Sequence, residues 1–422
     1  MEKKQFKGWG VLAAAFIMSF IPTAIMSNCF ALYMNPICED LGFSNGAWSM
    51  VSMIGSITSA IGAMIIAGFY QKKNMKLFMI ICTIGTCACF AVATMCTKIW
   101  QMYLVFGIEN IFMSGLTQLP ISMLVTAWFE SKRSTMMAIA MSGTGVGGLL
   151  WSPVLTRFIE SSATGWKTAM LFSAVVVLVV MIVVALFMVK RSPQEYGTEP
   201  YRTGDVDESA PTDEGWLGVS KKTATHSGAW KYIIGTVLLV GTLASGVTTH
   251  MPNFIATIAD QKMAGWVLAG YSVVSIFGQL GGGILMDKIG IKKATFIAAV
   301  LTSLGLLSLI GAATITPTLA YGYCIFFAAA MFLPKVLPAV LLSTVFGTQD
   351  YAGVYALSNI FFLIGAALGS ILTSVLQGVL GYTGAWVAYI VIVFLMFIFV
   401  AGAIKNGQKL KEQYPTGEVV TE

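Results

Sequence analysis

Gly283-Ile284-Leu285-Met286-Asp287-Lys288-Ile289-Gly290-Ile291-Lys292-Lys293 is the stretch on which the fold turns. An apolar run, Gly265–Met286, leads into it, and a second, Ala294–Thr314, leaves it. Each run is long enough to cross about 30 Å of hydrocarbon at about 1.5 Å per residue. Inside a bilayer every backbone N–H and C=O must find its partner within the segment, so both runs are expected to be helices. What joins them is a short reversal carrying one acid, three lysines and a glycine. This is a membrane hairpin whose turn lies in the headgroup layer.

The same pattern recurs outward along the whole chain. Spans are expected at Trp9–Met34, Trp48–Tyr70, Lys76–Thr97, Trp100–Trp128, Thr135–Ile159 and Trp166–Val189, then at Trp230–Ile258, Gly265–Met286, Ala294–Thr314, Pro317–Phe346, Tyr351–Val379 and Thr383–Ala403. Of 422 residues, 57% are hydrophobic and 10% charged, against about 25% charged in an average soluble domain. The first run is too long for a signal-peptide core and lacks a small-residue cleavage site, so it is expected to remain in the mature protein.

Lys and Arg are retained on the cytoplasmic side. With a cytoplasmic N-terminus, 20 of the 25 basic residues fall inside, leaving Lys98, Arg157, Lys167 and Lys262 outside and Lys335 within a span. Both termini are therefore expected to be cytoplasmic, in a multi-pass protein of the cytoplasmic (inner) membrane. The net charge of +6 follows from this bias and implies contact with anionic lipid, not nucleic acid. The seven cysteines lie in or beside spans without metal-type spacing and read as packing residues.

One polar stretch, about Lys190 to Gly228, interrupts the spans with seven acids among Pro, Gly and Ser. It divides the chain into a six-helix bundle at 1–190, a cytoplasmic linker at 191–228, a second bundle at 229–405 and a tail at 406–422. The halves repeat. At an offset of 216 from Gly283–Lys292 stands Ala67–Lys76, with Gln71 in place of Asp287 and Asn74 in place of Gly290, and the same offset pairs Pro36 with Pro252.

The Gly283–Lys293 loop resembles the signature loop of the major facilitator superfamily. Trp128-Phe129 with Arg133 before the fifth span, and Gly165-Trp166-Lys167 opening the sixth, are similar to that family as well. The resemblance implies an all-α membrane protein of twelve helices in two pseudo-symmetric six-helix bundles. It also implies a gating cluster of Asp287, Lys288, Gly290 and Arg133, in which the Asp287 carboxylate meets the positive N-terminus of another helix. Further features resemble the monocarboxylate transporters and oxalate/formate antiporters: Lys7-Gly8-Trp9, Pro36–Gly42, Ser131-Lys132-Arg133 with Gly143–Gly148, Arg191–Tyr196 and His250-Met251-Pro252. Where those carriers commonly hold an arginine for the substrate carboxylate, this chain reads Phe277-Gly278-Gln279. Asn28 stands at their aromatic position in helix 1, and Phe362, with Asn359 close by, at a basic position in helix 11.

A charge at mid-bilayer costs about 2.5–3.5 kcal/mol on insertion scales, so each one is a functional hypothesis. Two lie far from any span end, Glu109 and Lys335. Pro334 and Pro338 flank Lys335 and should leave the carbonyls of Ala330 and Pro334 without their helical donors. A helical wheel places Tyr321, Cys324, Ala328, Ala339 and Leu342 on its face as a cavity wall. Lys335 is read as a substrate-binding cation or as half of a structural ion pair. Glu109 and His250 are the side chains able to exchange a coupling proton, although a structural role for Glu109 and a carbonyl-bonded His250 fit as well. Asn28, Gln279, Tyr355 and Asn359 are candidate hydrogen-bonding residues for the solute, or interhelical bonds.

The sequence has no Gly-rich loop ending in Lys-Ser/Thr and no metal or catalytic cluster, so neither ATP, a cofactor nor an enzymatic reaction is expected. The expected function is secondary transport of a small organic anion of the carboxylate class by a monomer, as proton symport or anion exchange. Carriage or efflux of neutral or amphipathic solutes and a transporter-like sensor are the alternatives.

Overall fold

In the computed structural model the described residues are 8–72, 74–162, 164–194, 198–201, 216–259 and 261–417. Lys3, Lys4, Lys7, Lys73 and Arg202, and the linker acids from Asp205 to Glu214, lie outside them. The described chain is helical, with two isolated β-bridges and no longer strand.

The spans are α1 (Gly8–Tyr33), α2 (Asn45–Lys72), α3 (Met75–Ala93), α4 (Ile99–Trp128), α5 (Arg133–Glu160), α6 (Gly165–Met188), α7 (Gly228–Ile258), α8 (Gln261–Ile289) and α9 (Ile291–Thr314). Next comes α10, built in pieces from a 3₁₀ turn at Pro317–Ala320 through Tyr321–Ala329, Phe332–Lys335 and Leu337–Phe346. The helix Tyr351–Gln413 runs for 63 residues, but Gly381 breaks it at φ 69°, ψ 174°, a conformation open to glycine. It is two spans, α11 (351–380) and α12 (382–413), which makes twelve among the described residues. The last helix continues past Ala403 to Gln413, because apolarity marks the membrane and not the helix end.

The chain divides into two compact units. The first holds Met1–Glu130 and Ile139–Arg202; the second holds Thr203–Glu422 together with the segment Ser131–Ala138, which carries the first turn of α5.

In the first unit α1 is unusual. Its ordinary helix stops at Met18, and Ser19–Asn28 winds as a π-helix containing Pro22, followed by a 3₁₀ stretch Cys29–Tyr33. Pro22 has no N–H to give, and Thr23 Oγ1 donates to the Met18 carbonyl at 3.0 Å. α1 lies against α5 at Gly147, where an added Cβ would collide with Ala24 and the Phe20 carbonyl. At the end of this unit where α1 begins and α4 and α6 finish, Trp128 Nε1 donates to the Lys190 carbonyl at 2.7 Å. Tyr201 of the linker bridges to Phe129 there, and Trp9 packs on both rings.

In the second unit α7 and α11 approach closely through Gly241, Gly365 and Gly369, where a Cβ would meet the facing backbone. The linker's far end is clasped in its turn. Gly218 bridges to Gly347, just past α10, and the Leu217 carbonyl accepts the N–H groups of Thr348 at 3.0 Å and Gln349 at 2.8 Å.

Candidate functional site

Lys335 sits where α10 is most irregular. Tyr321–Ala329 ends in a tight turn, Met331 N–H bonding back to Ala328 at 3.1 Å. Phe332–Lys335 then makes one helical turn, Val336 separates it from Leu337–Phe346 at φ −111°, ψ −45°, and its N–H still bonds to the Phe332 carbonyl at 2.9 Å. The two prolines are the cause, since neither donates to the carbonyl four residues back. The outcome differs from the sequence expectation at Ala330, whose carbonyl is not left free. It accepts the Leu333 N–H at 3.0 Å, because the chain tightens into an i→i+3 turn. Pro338 still offers Pro334 no donor.

These breaks also reset the wheel. Lys335 is half-buried, but the residues placed on its face belong to the packing of the second unit. Cys324 donates to the Val267 carbonyl at 3.0 Å, and the Ala339 carbonyl accepts from Tyr351 Oη at 3.2 Å. Ala328 abuts Gly278 of α8. A wheel drawn through an unbroken helix loses its phase at Ala330 and Val336. Among those five residues, Tyr321 is the exposed one.

Gln279 lies where α8 crosses the break. Gly278 meets Ala328 and Ala329, and Gly282 meets the Phe332 ring. Gln279 is 4% exposed, and its buried Oε1 has no hydrogen-bond partner. Such an acceptor calls for a ligand or water donor. Two turns earlier on α8, Tyr271 Oη donates to Met331 Sδ at 3.0 Å, and its ring stacks on Tyr323 at 5.5 Å. Sequence reasoning passed over Tyr271, although its place eight residues before Gln279 puts both on one helical stripe.

On α11, Tyr355 is buried and packs on Tyr351, with ring centroids 5.7 Å apart, and Asn359 stands half-buried one turn later. His250 is held elsewhere, in the seam between α7 and α11. Its Nε2 lies 3.1 Å from the Ser370 carbonyl oxygen and 3.4 Å from Ser370 Oγ. An imidazole so placed donates to the carbonyl through Nε2–H.

In the first unit Asn28 ends the π-helix of α1, exposed, with Nδ2 donating to the Thr144 carbonyl at 3.1 Å. Glu109 is 4% exposed on α4. Its Oε2 accepts from Asn110 Nδ2 at 2.8 Å, and its Oε1 has no hydrogen-bond partner.

The loop after α8 has a definite geometry. Asp287 accepts the Ser134 N–H through Oδ1 at 3.0 Å and the Thr135 N–H through Oδ2 at 2.7 Å. A carboxylate thus closes two of the first amides of α5, where helices leave donors unpaired. Gly283 lets α8 approach, since a Cβ there would lie 2.5 Å from that of Ala138. Gly290, at φ 83°, turns the chain into α9, Lys288 is exposed, and Arg133 opens α5. Among the described residues no group of three or more His, Cys, Asp or Glu side chains is arranged to hold a metal ion.

Known proteins share this architecture. The chain superposes on a double-Trp mutant of XylE with a TM-score of 0.72 at 14% identity, covering 96% of this chain and 98% of that one. The E. coli fucose:proton symporter FucP gives 0.67 at 12% identity, covering 93% and 97%. In sequence, the MFS-type transporter hasB of Aspergillus fumigatus is 23% identical over 293 residues, 67% of this chain and 62% of that protein. The Agnestins efflux protein AgnL12 of Paecilomyces divaricatus is 24% identical over 305 residues, 70% and 64%. The Aspyridones efflux protein apdF of Emericella nidulans is 24% identical over 312 residues, 70% and 58%. The chain spans less than two thirds of the length of these curated relatives. The profile of the Major Facilitator Superfamily matches residues 11–334 and again 259–418, and with the helical architecture already described, this chain belongs to that superfamily as a multi-pass membrane protein.

Proposed function

We propose that the chain is a monomeric secondary carrier for a small organic anion of the carboxylate class, working by alternating access in the cytoplasmic membrane with both termini inside. The observation that carries this reading is Lys335, an ammonium deep in α10 on a single helical turn between two breaks. A carrier of anions needs a cation at depth, and holding one there is costly enough to require a reason. Gln279, with its open buried acceptor beside the same break, supplies a second point for orienting the solute. The Asp287 clamp on α5 serves as an inside gate in this scheme, and Glu109 or His250 carries the coupling proton if transport is symport.

A second reading, export of larger amphipathic compounds, is favoured by the relatives named as efflux proteins and by glutamine standing where an arginine would hold a small carboxylate. Uptake into vesicles reconstituted with the full chain separates the readings. Labelled mono- and dicarboxylates should enter saturably and exchange with unlabelled anion. Movement of neutral or amphipathic probes alone would favour the second reading, and movement of none would favour a sensor.

A further inference from the structure

At one end of the second unit the linker and α12 line an open cavity, apart from the residues of the proposed transport site. Its volume is about 630 Å³, and its lining includes Lys222, His226, Ser227, Asn406, Lys409 and Tyr414. The walls are fixed. A short helix, Lys221–His226, is capped by Ser220, whose Oγ accepts the Thr223 N–H at 3.3 Å. Asp350 Oδ2 accepts the Lys221 N–H at 2.8 Å, and His226 Nδ1 lies 2.8 Å from the Lys222 carbonyl oxygen. Before that helix, Trp216 Nε1 donates to the Tyr414 carbonyl at 2.7 Å, and Lys411 lies over the Trp216 ring at 5.1 Å. The linker is thereby pinned along α12, bringing Lys222 and Lys409, far apart in sequence, to one cavity. No carboxylate lines it among the described residues.

Its depth is informative. Gly228, the first residue of α7, lines it too. The apolar part of α12 ends at Ala403, so Lys409 stands about 9 Å further along the helix axis at 1.5 Å per residue. The headgroup layer on each side of a bilayer is roughly 5–8 Å thick, so the Lys409 backbone stands just beyond it and its long side chain can reach back to the phosphates. We propose that this cavity is a phosphate-binding site, taking the headgroup phosphate of an anionic phospholipid or a soluble phosphate of the same charge. Two ammonium groups held in one cavity repel each other, and a phosphate between them removes that cost while accepting bonds from both. Both lysines are exposed, so binding weakens as salt rises. The site stands whether or not the anion-carrier reading does, because none of its residues enters that reading.

The test uses the purified full chain in neutral detergent, with thermal unfolding followed against added phosphatidylglycerol, phosphatidylcholine or inorganic phosphate. Phosphatidylglycerol should raise the unfolding midpoint and phosphatidylcholine should not. The pair Lys222→Gln/Lys409→Gln should weaken the response roughly tenfold or more, the size expected of two lysines at an anionic surface. The pair Lys222→Arg/Lys409→Arg should restore it, which guards against a folding defect. Lys98→Gln/Lys167→Gln, a charge-matched change at other loops, should respond as the unaltered chain does. An equal response to inorganic phosphate would keep the site and assign it to soluble phosphate. Equal responses to both lipids, or an undiminished response in the glutamine pair, would overturn it.

Discussion

Helices α4 and α10 occupy matching places in the two halves and break at matching residues. The first piece of α4 gives way at Ser114, and that of α10 at Ala330, 216 positions later. Just before each break a glycine from the neighbouring helix touches backbone. A Cβ on Gly62 of α2 would lie 2.6 Å from Ile111 Cα, and one on Gly278 of α8, again 216 positions on, 2.7 Å from Ala329 Cα. Past the breaks the halves part company. The bridged residue at the exit of α4 is Phe129 and that at the exit of α10 is Gly347, 218 positions on. The second half therefore carries two more residues between break and exit. The stretch between Ala330 and Val336, which holds Lys335, is where the extra chain is taken up. The difference teaches that the repeat fixes where these helices bend, while the insertion in one copy makes the place for a charge.

The largest effect should come from filling the shared contact. Gly62→Val and Gly278→Val should each destabilise the protein by about 1–3 kcal/mol or more, since backbone on the far side cannot yield. Comparable losses in thermal unfolding would sharpen the equivalence of the halves, and a loss in one alone would break it.

Next is Asp287, whose counterpart in the first half is Gln71. Asp287→Asn keeps one acceptor for the two amides of α5 and loses the charge that favours a helix N-terminus, at a cost of about 1.5–3 kcal/mol for charged hydrogen bonds. Transport rate should change while solute affinity holds. Equal loss of both would count against a gating role.

Smaller again is the contrast between two tyrosines at the breaks. Tyr70 Oη donates to the Gly115 carbonyl in the break of α4, whereas Tyr271 Oη donates to the Met331 thioether in that of α10. Tyr70→Phe strands a buried carbonyl and should cost about 1–3 kcal/mol. Tyr271→Phe gives up only a weak acceptor and should cost well under about 1 kcal/mol. Equal unfolding midpoints for the two variants would contradict this ranking.

Apolar run length made the twelve spans legible, because the bilayer imposes it on every crossing, and the Asp287 loop could be read from its residue types. What escaped was phase within helices. Ser114-Gly115 is a weak signal of the α4 break, and the stronger cause is Pro120, which gives no N–H to the Leu116 carbonyl. Pro22 lies inside α1, and its residue type alone does not mark a π-helix ten residues long. Side-chain partners were less legible still. The residue type of His250 allowed several roles, and only the packing of α7 on α11 shows the Ser370 carbonyl beside it.

The most direct test of the anion-carrier reading is Lys335→Gln, with solute binding and thermal stability measured on the same purified protein. The account predicts a folded, membrane-inserted protein with little change in unfolding midpoint and no anion binding. Lys335→Arg should retain weak binding at most, because a planar fork replaces a point charge. A drop in stability of about 3–5 kcal/mol would instead identify half of a buried ion pair. Normal anion binding by a stable Lys335→Gln protein would contradict the account and leave export of amphipathic solutes as the better reading.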